Sequence, residues 1–526
     1  MTSLTSDDPV SGLRSRAGWL LLGGFTVMRV IYAAVADLRT DEAYYWTWSK
    51  ENVLSYLDHP PMIAWFIRGG TALFGDTPFG VRFACLLAMV AAQLFLADIV
   101  RRVTRDGAIT LLALLMFDAA LYYGLFMAKV APDVALIPFA LGMIWALVRL
   151  WQTQDGRWWL AVGAFGGLAA LSKYTIVFFL PGIAAFLLVP AWRRRWLFSP
   201  WLWGGVVLAL VLFSPVLVWN AQNDWVSFRF QFVRAAADHA VTLRTLGDFL
   251  GVQLVMVGPV MLPVLIGGVV LTAWRGCRRR DPVALLLAGC VLVPFFYFLS
   301  KSLTLRIGDT WPMFMWPVAV AASAINLVGL RREQGEASWM TQSAQWWARV
   351  AAGSGMCLVA AVFLYYTVGG WSGFGRFDPV GKEEGFADIA AQAERAMAQT
   401  GATWIATTNY RTYAMLRWYM KGRAPVVQIN ERSRFIGFRT PDLGRIAGHI
   451  GLYISRAALV GDMAWSMTTA VRKPVRTIEQ HWRGVVVDTY VLETISGWSP
   501  VLAPPRQSPL YQWPSLAQTS AARRWS

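Results

Sequence analysis

A chain of 526 residues that is 56% hydrophobic and only 15% charged, with a mean hydropathy of +0.44, is not a soluble globular enzyme, which averages about 45–50% apolar and about 25% charged residues. The formal net charge of +17 would suit a nucleic-acid binder. Its basic residues stand instead in short clusters between apolar segments, as in cytoplasmic loops, so the lipid bilayer is the expected partner and nucleic acid is not.

A spanning helix needs about 20 mostly apolar residues. Eleven segments read as candidates: 17–36, 79–100, 107–126, 133–151, 157–171, 175–191, 201–219, 247–273, 282–300, 311–329 and 349–369. The first follows Arg14 and Arg16 and lacks a small-residue cleavage site, so it reads as a spanning helix rather than a signal peptide. With all eleven in place, these basic residues share one side with Arg101, Arg102 and Arg105, with Arg149 and Arg157, with Arg193 to Arg195, with Arg275 and Arg278 to Arg280, and with Arg331 and Arg332. The positive-inside rule makes that side, and the N-terminus, cytoplasmic. Four scattered cysteines, Cys85, Cys277, Cys290 and Cys357, show neither disulfide nor metal spacing.

The opposite side holds the loop 37–78, whose centre reads DEAYYWTWSKENVLSYLDHPPM from Asp41 to Met62. Two carboxylates, Asp41 and Glu42, open it, and an Asp58-His59-Pro60-Pro61 box closes it, with Tyr44, Tyr45, Trp46, Trp48 and Tyr56 between. Interfacial belts of Trp and Tyr explain the aromatics, but not the gathering of ionisable groups in one loop. Carboxylates beside aromatics at a membrane surface suit the binding and activation of a sugar hydroxyl. Asp133, Lys173, Arg229, Arg234, Lys301, Arg306 and Asp309 fall on the same side.

Sugar transfer from an activated carrier needs a base for the acceptor hydroxyl and a cation or metal for the leaving phosphate. Asp41 is the candidate base. Asp133 follows Pro132 and is either an N-cap or a second acidic site residue. Asp58 and His59 are a candidate divalent-cation pair, though two adjacent ligands do not make a metal site. Lys173 either snorkels or meets a phosphate, and Lys301 and Arg306 face the same choice. Arg229 and Arg234, in SFRFQFVRA, lie on an amphipathic surface helix or bind substrate. No P-loop, dinucleotide-binding glycine pattern, HExxH or nucleophile elbow occurs, so a sugar donor would arrive on a lipid.

The tail changes character near residue 371. Trp404 to Thr407, Val426 to Ile429 and Val485 to Leu492 read as strands and Phe386 to Met397 as a helix. The expected domains are therefore a transmembrane domain, 1–370, and an α/β domain, 371–526, with a loosely ordered end from about Pro500.

DEAYYWTWSK followed by YLDHPPM resembles the first outer loop of bacterial GT-C glycosyltransferases of the dolichyl-phosphate-mannose–protein mannosyltransferase superfamily, which includes lipid A aminoarabinose transferases and rhizobial galacturonosyltransferases. VAPDVAL and GLAALSKYT resemble two further motifs of that group, and the likeness covers about 1–330. The resemblance implies a GT-C fold in a bacterial inner membrane with a periplasmic C-terminal α/β domain. It implies a polyprenyl-phosphate-linked sugar donor and a single inverting displacement onto a periplasmic glycolipid or glycan, such as lipid A or its core. By position, Asp41 would be the catalytic carboxylate, Asp133 the second acid, Asp58 the metal ligand and His59 the residue near the carrier phosphate. Tyr56, Pro60 and Pro61 would shape the loop. The sequence departs from the aminoarabinose subgroup, with Asp-His in place of Glu-Lys and only Gln231 or His239 near the place of a metal-binding His, so a divalent metal stays open. An oligosaccharide ligase or polymerase is the rival enzyme. A transporter is the rival class; it would place ionisable residues within spanning helices, as Asp118 is.

Overall fold

The structure is a computed structural model that describes residues 9–190, 193–236, 241–429, 431–439, 446–459 and 471–497. In chain order the helices are α1 (Pro9–Val35), α2 (Thr40–Ser49), α3 (Met62–Phe74), α4 (Pro78–Thr104), α5 (Gly107–Ala119), α6 (Leu121–Gly124), α7 (Pro132–Thr153), α8 (Trp158–Ser172), α9 (Leu180–Leu187), α10 (Arg193–Leu197), α11 (Pro200–Gln222) and α12 (Val226–Ala236). They continue with α13 (Leu243–Val257), α14 (Met261–Arg279), α15 (Pro282–Lys301), α16 (Trp316–Gln334) and α17 (Trp339–Thr367). The tail adds α18 (Phe386–Thr400), β1 (Trp404–Thr407), α19 (Tyr410–Met420), β2 (Val426–Gln428), β3 (Gly451–Arg456), β4 (Val471–Trp482) and β5 (Val485–Ser496).

Every expected apolar segment is helical, but the count of eleven spans is not reached by length. Among the described residues, 7 helices are long and apolar enough to cross a bilayer, or 8 with one bent pair. Gly107–Ala119, Trp158–Ser172 and Tyr174–Leu187 are shorter apolar helices. The segment 247–273 is not one straight helix: α13 and α14 meet at 97°. Gly258 takes φ +117°, open to glycine alone, and Pro259 withholds a backbone donor, so the helix ends there. Two helices, α2 and α3, occupy the stretch 37–78 expected as a loop, and SFRFQFVRA lies on a helix, α12.

The chain divides into two compact units, residues 1–34, 82–217 and 238–363, and residues 35–81, 218–237 and 364–526. The loop 37–78 and the segment around α12 belong with the tail, because they bury their side chains against it.

In the helical unit, α7 and the segment Met313–Gln334 are the most enclosed spans, whereas α11 and α17 expose most of their apolar surface. Trp203, Val207 and Val211 on α11 are among the exposed side chains that a bilayer would cover. Helices α8 and α11 meet through small residues. A Cβ on Gly163 would lie 2.0 Å from the Gly205 carbonyl oxygen, so only glycine permits this approach. Asp118, the intramembrane charge that favoured a transporter, is neutralised within the unit. Arg29 of α1 donates to it at 2.7 Å, both side chains are fully buried, and Gln93 donates at 2.8 Å. Arg29 Nε also donates to the Gly124 carbonyl at 2.7 Å.

In the loop-and-tail unit, a five-stranded sheet has the order β2-β1-β3-β5-β4. β1 lies parallel to β2 and β3, and β5 lies antiparallel to β3 and β4. Trp404, Ala406, Val427, Tyr453 and Ile495 form its core. Arg483 and Gly484, both at positive φ, turn β4 into β5, the backbone twist that a two-residue hairpin favours. Strand β4 contains Pro474, tolerated because the strand is an edge and its register shifts there. The expected end segment from Pro500 lies outside the described residues.

Breaking a buried ion pair leaves an uncompensated charge, at about 3–5 kcal/mol. Asp118→Ala should therefore lower the melting temperature of the purified protein sharply. Arg29→Met combined with Asp118→Leu should restore much of it, as read by thermal unfolding in detergent.

Candidate active site

Helix α2 starts where its first backbone donors find carboxylates. Glu42 accepts the Arg39 N–H at 3.0 Å and Glu383 accepts the Thr40 N–H at 2.8 Å. Glu42 is buried, so its carboxylate serves the helix start. One residue earlier, Asp41 points outward with its side chain 56% exposed. Its Oδ1 accepts the Tyr410 hydroxyl at 3.4 Å and lies 3.8 Å from Arg411 Nε. The surrounding protein desolvates the Asp41 carboxyl in part and raises its pKa; Glu383 adds to this, while Arg411, Arg39 and the Tyr410 hydroxyl oppose it.

The helix carries its aromatics to the Asp-His-Pro-Pro turn. The Tyr44 hydroxyl donates to Asp58 Oδ2 at 2.6 Å, and its ring lies 4.7 Å from that of Tyr410. Tyr45 lies 6.4 Å from the His59 ring. Tyr56 stacks on Trp48 at 4.2 Å and donates to the Trp48 carbonyl at 2.9 Å. Pro60 is buried, and Pro61 precedes α3. Helix α12 supports the turn from behind. Ser227 donates to the Leu57 carbonyl at 2.8 Å, and Gln231 donates to the Asp58 carbonyl at 2.7 Å.

Asp58 is the expected metal ligand, but the groups around it do not fit a metal. Arg434 Nη1 lies 2.6 Å from both of its oxygens, and Tyr44 takes Oδ2 as well. Gln231 turns its amide nitrogen toward the backbone there. His239 lies outside the described residues. Burial alone would raise the Asp58 carboxyl, but Arg434, Tyr44 and His59 outweigh it and hold it below the usual carboxylate value. Arg434 also lies 4.6 Å over the Tyr410 ring and 3.7 Å from Glu431. Glu431 accepts the Tyr410 N–H at 2.7 Å, and burial pushes its carboxyl up to about 7 against the pull of Arg434 and that N–H.

Asp133 and Lys173 belong to the helical unit. Ala131 takes the N-cap position of α7, so Asp133 is not the cap. Its two oxygens accept Lys173 Nζ at 2.7 and 2.8 Å, and both side chains are buried. Lys173 is thus an internal partner of Asp133 rather than a snorkelling cation. Arg306, in the same unit, is exposed after α15. Arg234 lies on α12, in the loop-and-tail unit.

Sequence reasoning missed Tyr410, Arg411, Glu431, Arg434 and Glu383. All come from the tail, where the Asn409 side chain caps α19 by accepting the Arg411 N–H.

Residues 58–219 match the family described as dolichyl-phosphate-mannose-protein mannosyltransferase. The chain is 32% identical over 277 residues to the lipid A galacturonosyltransferase RgtD of Rhizobium johnstonii, covering 51% of this chain and 56% of that one. It is 28% identical over 289 residues to the undecaprenyl phosphate-alpha-4-amino-4-deoxy-L-arabinose arabinosyl transferase 2 of Pseudomonas fluorescens, covering 50% and 48%. The chain thus spans about half the length of the curated relatives it matches. The crystal structure of ArnT from Cupriavidus metallidurans bound to undecaprenyl phosphate superposes with a TM-score of 0.59 at 15% identity, over 90% of this chain and 98% of that one. The fold is therefore the expected GT-C fold of a multi-pass membrane protein.

Because Glu431 holds its proton to about 7 in the folded chain but to about 4.5 as an ordinary carboxyl, the stability tied to that proton is present below about 4.5 and is lost as pH rises through about 7. Between pH 5 and 8 the melting temperature should fall, and Glu431→Gln should flatten that slope.

Proposed function

We propose that this protein is a membrane glycosyltransferase that moves a monosaccharide from a polyprenyl-phosphate carrier to a glycolipid acceptor such as lipid A or its core. The observation that carries the reading is Asp41: a half-exposed carboxylate beside a tyrosine hydroxyl and a half-exposed arginine. The similarity to a lipid A galacturonosyltransferase and to an undecaprenyl phosphate-aminoarabinose arabinosyl transferase supports the same reading.

In the proposed reaction the acceptor hydroxyl oxygen attacks the anomeric carbon of the sugar. The bond from that carbon to the phosphate oxygen breaks, and the polyprenyl phosphate departs with the electron pair. Asp41 takes the hydroxyl proton. The displacement is single and inverts the anomeric centre. Arg411 places positive charge beside Asp41, and His59 and Arg234, of the same unit, are proposed donor-binding residues; Arg306 is proposed as a phosphate-binding cation of the helical unit by itself. Tyr44, Tyr45, Tyr56 and Pro60 shape the sugar-facing loop, and Glu42 holds the helix that presents Asp41. Asp133 with Lys173 forms a second acidic position, closed by its own counter-ion. We place the protein in the bacterial inner membrane with its N-terminus cytoplasmic and its tail periplasmic. We assign 1–370 to the transmembrane catalytic domain and 371–526 to the α/β domain against which the loop 37–78 packs.

Mass spectrometry of glycolipids from cells with and without the gene tests the reading. Loss of one sugar should be restored by the wild-type chain and reduced by at least about 100-fold with Asp41→Asn, at equal membrane abundance. Full rescue by Asp41→Asn would remove Asp41 as the base, and an unchanged glycolipid profile would point to the transporter class.

A further inference from the structure

We propose that Arg434 is the built-in cation of this site: it occupies the position at Asp58 that a divalent metal would need, and it positions Asp41 through the ring of Tyr410. This inference rests on the transferase reading above.

The first support is geometric exclusion. A single nitrogen, Nη1, lies 2.6 Å from both Asp58 oxygens. A calcium ion held by carboxylate oxygens sits about 2.3–2.6 Å from them, and a zinc ion about 2.0–2.2 Å. The guanidinium and such an ion would claim the same volume, so one excludes the other. The second support is fixation. Arg434 and Asp58 keep only 10% and 12% of their side-chain exposure, Tyr44 holds Asp58 from a second side, and Glu431 flanks the guanidinium. Such a cation is not removed by chelators and does not lose its charge at any working pH.

The third support is connection to the proposed base. The guanidinium covers the Tyr410 ring at 4.6 Å, and Glu431, beside the same guanidinium, accepts the Tyr410 backbone N–H. The Tyr410 hydroxyl in turn reaches Asp41. Arg434 therefore seats one aromatic residue between the Asp58 end of the loop and the Asp41 end. It touches no reacting atom in this arrangement and is a positioning residue.

Two measurements test the proposal on the full chain. In the first, the purified protein is incubated with Zn²⁺ or Mn²⁺, dialysed and analysed for bound metal, and its melting temperature is read with and without chelator. No stoichiometric metal and no shift are expected. One metal ion per chain that disappears with Asp58→Asn would overturn the proposal. In the second, glycolipid product formed in membrane vesicles is normalised to membrane abundance and followed against pH. Arg434→Gln should lose roughly 10–100-fold, the range seen when a residue orienting a ligand is removed, and Arg434→Lys should lose less. The acid limb of the pH profile should move upward in Arg434→Gln, because an unseated Tyr410 no longer lowers the Asp41 pKa.

Asp58→Asn combined with Arg434→Gln removes both charges of the pair and keeps the test decisive where the single variant does not fold; it should be stable and poorly active. Product loss that follows abundance alone, with an unmoved pH profile, would make Arg434 a purely structural partner. Wild-type vesicles that form no product would defeat the transferase reading, while the metal measurement would still decide what occupies Asp58.

Discussion

Arg434 and Asp58 are 376 residues apart in sequence and 2.6 Å apart in space. A carboxylate as enclosed as Asp58 cannot persist as an anion without a partner, and its partner comes from the tail. The loop-and-tail unit depends on this pairing. It draws the Asp-His-Pro-Pro turn toward the segment after β2, and that segment also carries Glu431, Phe435 and Ile436. Ile436 joins Leu57, Trp219 and Val226 in one apolar cluster, so the charge pair and the cluster fix the same turn from two directions. A tail that looked like an accessory domain in sequence thus supplies part of the first loop's interior.

The ionisable residues sort into two kinds. Arg29 with Asp118, and Lys173 with Asp133, are closed pairs inside the helical unit, where low dielectric makes an unpaired charge very costly. Asp41 is of the other kind. It is partly solvated and partly neutralised by Arg411 and Arg39. Its neighbour Glu42, with the same side-chain chemistry, is turned inward to close a helix. One step along a helix rotates a side chain by about 100°, which is enough to separate the two roles.

The apolar segments were legible because bilayer thickness and the helical repeat leave few other ways to satisfy an apolar backbone. The strands Trp404–Thr407 and Val426–Gln428 were legible as short apolar runs. Strand β4 was not, since VRKPVRTIEQHW carries charges and a proline, and an edge position tolerates both. Helix α2 was hidden because its start is secured by Glu383, a residue more than three hundred positions away, as well as by its own Glu42. The loop residues Asp41, Tyr44 and Asp58 stood out by chemistry and spacing. Tyr410, Arg411 and Arg434 could not, since nothing in NYRTYAM or ERSRFIG distinguishes a site residue from an ordinary surface arginine or tyrosine. The metal expectation followed local likeness at Asp58; the distant arginine decides its chemistry.

The buried pair in the helical unit has a consequence for how the chain is made. Arg29 and Asp118 are 89 residues apart. At synthesis rates of about 5–20 residues per second, Asp118 emerges on the order of ten seconds after Arg29. An arginine at the centre of a spanning helix costs about 2.5–3.5 kcal/mol on insertion scales. The first helix must therefore carry that charge without its counter-ion while the second is still being threaded, and its own apolar length has to hold it in place during that interval. The apolar residues flanking Arg29 in α1 are what holds the helix in the bilayer during that interval.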